Sequence, residues 1–167
     1  MSGQLIQDYR QTDEFRQAVD LLDAGPARIG GFWGGALSFF LGAWMEQDKD
    51  KNGHCVVVTS CQEDADHLLE EMETFAAEAA VPFPAWDSLF QPDSRPDPLV
   101  YGERLHVLER LLRRDGGGGF IVTPAHALIQ PVPQPAALGR DRLELRPGLE
   151  LPPGELAKIL TEKGYRN

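Results

Sequence analysis

The residues most able to do chemistry lie in one glycine-rich stretch, Gly30-Gly31-Phe32-Trp33-Gly34-Gly35, followed by Ala36-Leu37-Ser38. A working phosphate loop has the form G-x-x-x-x-G-K-[ST]. Its backbone N–H groups cradle phosphate oxygens at a helix start, its lysine neutralises the β- and γ-phosphates, and its hydroxyl holds magnesium. Laid on that pattern, Gly31 takes the first glycine, and Gly34 and Gly35 fill variable positions. Ala36 replaces the second glycine, Leu37 replaces the lysine, and Ser38 keeps the hydroxyl. Loss of the cation removes a charge-assisted contact of about 1.5–3 kcal/mol, and more where transferred charge must be stabilised. The stretch therefore reads as a degenerate nucleotide loop without ATP hydrolysis. The competing reading of this stretch alone is a glycine turn that never bound phosphate.

Other candidate groups are weaker. Asp87 and Glu103 could imitate a carboxylate pair, but no nucleophile or histidine is placed to work with them, so they read as solvated acids. Cys55 and Cys61 lack His or Cys partners in metal-site rhythm, and His54 and His67 are isolated. No metal or cofactor is expected. Trp86 reads as an aromatic packing its loop, with partner docking as the alternative. Arg104 either bonds the loop before it or faces a partner. His126 reads as structural.

The elements that would position these groups alternate between strand and helix. Thr12 caps a helix over Asp13 to Leu22, with Phe15, Val19 and Leu22 on one face. Ala27 to Gly30 reads as a brief strand entering the glycine turn, and Ala36 to Glu46 as the helix leaving it. Cys55 to Thr59 is a β-branched run suited to a strand buried on both faces. Ser60 and Glu63 form a capping box for a helix to about Ala80. Val81 to Pro84 is a short strand, and prolines keep Ala85 to Pro98 irregular. A helix over Leu99 to Arg114 carries Leu105, Leu108, Leu111 and Leu112 as its apolar stripe. Phe120 to Val122 is a buried strand, and Thr123-Pro124 caps a helix to Gln130. This alternation predicts an α/β fold with a parallel sheet and helices on both faces. The run Pro131 to Pro135 marks a boundary. Beyond it come a half-exposed strand over Arg142 to Arg146 and a helix over Pro153 to Lys163. This second unit reads as cut short, and the chain as a fragment. The expected divisions are a helical lead-in over 1–26, the loop-bearing α/β domain over 27–138, and a partial domain over 139–167.

The 167-residue chain is 42% hydrophobic and 25% charged, a globular balance, and its net charge is −10. A free-standing nucleic-acid binder carries a basic face, and none is visible. The most apolar stretch, Ile29 to Met45, holds five glycines and falls short of a membrane span. No signal peptide opens the chain, so a cytoplasmic location is expected.

Four stretches, in order, resemble the N-terminal UvrB-like module of the bacterial transcription-repair coupling factor family. They are the glycine turn from Gly31 to Ala36; Phe83-Pro84-Ala85-Trp86-Asp87-Ser88-Leu89 with Gly102-Glu103-Arg104-Leu105; Ile121 to Gln130, which includes Pro124; and Leu145-Arg146-Pro147-Gly148 with Lys163-Gly164-Tyr165-Arg166. The resemblance covers roughly residues 27 to 167. It implies a degenerate P-loop, helicase-like domain followed by the start of a small α+β UvrA-interaction domain. The family's parent is an ATP-dependent DNA translocase that frees stalled RNA polymerase and recruits UvrA in nucleotide excision repair. The module itself would be non-catalytic, with RNA polymerase and DNA contacted only by downstream parts. UvrB keeps the loop lysine, so Leu37 favours the coupling factor over a UvrB-type helicase fragment. A divergent P-loop nucleotide-binding protein is the other alternative.

Overall fold

The structure, a computed structural model, describes residues 2–47, 53–75, 80–86, 97–113, 119–140, 143 and 145–162. It forms two compact units that part between Gln130 and Pro131.

The first unit opens with α1 (Ser2–Arg10), which the sequence reading missed, and α2 (Asp13–Ala24). Thr12 caps α2, its hydroxyl accepting from the Phe15 N–H at 3.3 Å while donating to the Tyr9 carbonyl at 2.7 Å. After α3 (Ala36–Gln47) come β1 (His54–Thr59), α4 (Gln62–Phe75), β2 (Ala80–Pro82), α5 (Pro98–Arg113), β3 (Gly119–Pro124) and a 3₁₀ turn over Ala125–Ile129. The three strands are parallel in the order β1-β3-β2. The chain is thus a mixed α/β fold, as its alternation predicted.

β3 is central and buried along its whole length. Alternate residues of a strand face opposite sides, and β3 feeds two cores. Phe120 and Val122 join the larger one, with Phe40, Leu41 and Ala43 of α3, Ala65, Leu68 and Met72 of α4, and Ile6, Phe15 and Val19 of α1 and α2. α1 and α2 therefore pack into the main core through Ile6, Phe15 and Val19. Ile121 joins the smaller core, with Phe83, Ala85, Val107 and Ala127.

Several expectations are corrected. Residues 27–33 form no strand, so the glycine turn does not follow a strand of the sheet. β1 is not buried on both faces; it is an edge strand, and Val56 and Val58 are about half exposed. Ser60 bonds the Asp64 carboxylate instead of forming the expected box with Glu63. In α5 the inward face is set by Arg104 and Val107, while Leu111 and Leu112 are exposed. Thr123 is the penultimate residue of β3 and caps nothing; its hydroxyl donates to the Phe83 carbonyl at 2.8 Å.

The second unit holds α6 (Pro135–Arg140) and α7 (Pro153–Glu162). No residue of α7 is buried. The expected strand over Arg142 to Arg146 is not formed by its described residues, Leu143, Leu145 and Arg146.

Candidate functional site

The glycine turn reverses the chain through Gly31 (φ +91°) and Gly34 (φ +53°), conformations that L side chains rarely adopt. Ala36 N–H bonds back to the Trp33 carbonyl at 3.2 Å, and α3 begins at once. Phe32 packs on Phe40 with ring centroids 5.4 Å apart, while Trp33 is 86% exposed.

Each residue that would serve a phosphate is otherwise engaged. Leu37, at the lysine position, packs against the main core. Ser38, at the magnesium position, is fully buried; its hydroxyl faces the Gly35 carbonyl at 2.8 Å and the Glu71 carboxylate of α4 at 3.0 Å. One hydroxyl proton is shared between two acceptors. A Cβ added to Gly35 would lie 3.9 Å from the Glu71 carboxyl carbon. The first turn of α3 thus has a protein carboxylate beside it, in the region where a helix start attracts anions. A phosphate arriving there would meet like charge.

The second cluster centres on Arg104. Its side chain projects from α5 into the smaller core and is 2% exposed. The guanidinium lies between two aromatic rings, 4.2 Å from the Phe83 centroid and 4.7 Å from that of Trp86. Tyr101, one turn earlier on α5, extends the stack, its ring 5.9 Å from Trp86. Nη1 donates to the Pro84 carbonyl at 2.7 Å and to Gln130 Oε1 at 3.2 Å. Nη2 is buried without a hydrogen-bond partner among the described residues. Burial pushes the guanidinium pKa down from its ordinary value.

The segment 83–86 is tied down at almost every backbone group. Phe83 N–H bonds the Val122 carbonyl at 2.8 Å, and Ala85 N–H bonds Gln62 Oε1 at 3.3 Å. Gln130 clamps Trp86 from both sides, Oε1 accepting from its N–H at 2.7 Å and Nε2 donating to its carbonyl at 3.3 Å. The stretches around Phe83, Arg104 and Gln130, far apart in sequence, therefore meet at one guanidinium. Gln130 was not singled out from sequence; a glutamine at the end of a short helix gives no chemical signal by its type.

The other candidates stand apart. Asp87 lies outside the described residues. Gly102 is exposed on α5 with open space around it. Pro124 ends β3, buried, and precedes the 3₁₀ turn. His126 is exposed. Cys55 and Cys61 are free thiols, and burial raises the Cys55 pKa. Among the described residues no group of His, Cys, Asp and Glu could hold a metal, and no helix is long and apolar enough to cross a membrane.

Compared with protein-family models and with curated proteins, the sequence finds no match.

Proposed function

We propose that this chain is a non-catalytic interaction module of the transcription-repair coupling type, built on a degenerate P-loop domain and acting in the cytoplasm in transcription-coupled nucleotide excision repair. The observation that carries the non-catalytic half is the closed start of α3. Leu37 packs against the core, and Ser38 is bonded to Glu71, so neither a cation nor a free hydroxyl is offered to phosphate. The missing strand before the turn weakens the kinship with a phosphate loop; the non-catalytic reading rests on the Leu37 and Ser38 contacts and does not need that kinship.

The family half rests on the resemblance. It is supported by the convergence of two of the resembling stretches, Phe83 to Trp86 with Arg104 and Ile121 to Gln130, in one buried cluster. A motif whose residues all serve one packing site has a physical reason to keep that order. In this reading UvrA is the partner, engaged through the second unit, while RNA polymerase and DNA are handled elsewhere in the parent translocase.

Capture of purified UvrA on an immobilised longer chain, carrying a complete interaction domain, tests the partner. Retention of UvrA supports the proposal, and failure of that longer chain to retain it removes the family reading. ATP hydrolysis by the present chain would remove the non-catalytic one.

A further inference from the structure

An open surface cleft of about 460 Å³ lies at the corner between α1 and α2, lined by Gln7, Arg10, Gln11 and Arg16. All four side chains end in N–H donors. Gln7, Arg10 and Gln11 are spaced i, i+3, i+4, which gathers them on one face of α1 and its end. Arg16 comes from the opening turns of α2.

The corner is fixed from beneath. Ile6 and Phe15 are almost fully buried, and Tyr9 meets the edge of Phe15 with centroids 5.2 Å apart. The Thr12 hydroxyl bonds backbone on both helices, and Gln11 N–H bonds the Asp8 carbonyl at 3.1 Å. The donors therefore project from a held frame.

Arg10 and Arg16 each have a carboxylate in ion-pair range, Glu46 at 3.9 Å and Asp13 at 3.8 Å, but neither contact is a hydrogen bond, so the N–H groups keep donor capacity among the described residues. Two guanidinium forks and two carboxamides around one cleft suit a ligand with several acceptor oxygens at fixed angles. A phosphate group has that form, and the cleft has room for a second phosphate or a sugar beside it. We propose that the α1–α2 corner binds a small organic phosphate or diphosphate, held by Arg10 and Arg16. Glu46, Asp13 and Glu14 lie near and oppose a long-range field, so binding depends on direct contact and weakens with salt. This site is separate from the glycine turn and does not depend on the reading of that turn.

The test is titration of the intact chain with inorganic pyrophosphate, followed by amide chemical shifts. The proposal predicts saturable shifts centred on residues 7–16. Arg10→Gln with Arg16→Gln, two substitutions at the surface, should weaken binding about tenfold or more, with the spectrum of the core unchanged. No saturable shift at millimolar pyrophosphate would overturn the proposal. So would shifts centred on residues 31–38, or unchanged affinity in a double variant whose spectrum shows it folded.

Discussion

Ser38 and Glu71 bring the chemistry of the glycine turn to a single hydrogen bond. Removing the hydroxyl leaves the half-buried Glu71 carboxylate without its donor, while the Gly35 carbonyl keeps the Phe39 N–H at 3.0 Å. Ser38→Ala is expected to destabilise the fold by about 1–3 kcal/mol, read as a lower urea midpoint at constant slope. Arg104 is held more strongly, by two hydrogen bonds and two rings. Arg104→Ala should cost about 3 kcal/mol or more, and Arg104→Lys should recover only part of it, because an ammonium neither lies flat between rings nor forks. At the surface, hydrogen bonds from Ser60 and Cys61 hold the Asp64 carboxyl below its usual range. A carboxyl with a depressed folded pKa contributes stability above its unfolded pKa and loses it as pH falls through the folded one. Asp64→Asn should therefore flatten the acid side of a melting-temperature profile. At this scale the sequence announced Leu37 and Ser38 by position in a motif, and left Arg104 between bonding its preceding loop and facing a partner. Glu71 was silent, because an acidic residue in an acidic helix carries no sign of which one turns inward.

The elements that came through from sequence are those with strong periodicity or uniform apolar content: α2, α3, α4, α5 and β3. Where the reading failed, the missing information was non-local. A run such as Cys55 to Thr59 is equally apolar at the edge or the centre of a sheet, and only the order β1-β3-β2 makes it an edge. Four leucines in α5 suggested an inward stripe, yet the inward face follows Arg104, a residue that hydrophobic pattern assigns to solvent. The expected strand before the glycine turn was read on four residues, Ala27 to Gly30, too few for periodicity to check it. Packing between elements can be tested with two glycines. A Cβ at Gly42 of α3 would lie 2.9 Å from the Phe75 carbonyl oxygen of α4, whereas one at Gly102 of α5 meets nothing within 4 Å. Gly42→Ala should cost about 1–3 kcal/mol as the helices are forced apart. Gly102→Ala should be neutral or stabilising by up to about 1 kcal/mol. Thermal melts of the pair check both, and equal effects would mean that α3 and α4 do not cross so closely.

For the whole molecule, alternation of strand and helix was enough to predict an α/β fold with parallel pairing; the two units part between Gln130 and Pro131, just before the proline run, whereas the expected domain division was drawn at 138/139. What the molecule does is written less plainly. Its acidic balance argues against a nucleic-acid surface of its own, and its glycine turn is closed by its own residues. The account's central claim is that this turn takes no nucleotide. Titration of the intact chain with Mg-ATP, followed by amide resonances of residues 31–38, tests it most directly. Those resonances should stay in place even if residues at the α1–α2 corner respond. Saturable micromolar shifts at residues 31–38, abolished by Gly34→Trp, would contradict it.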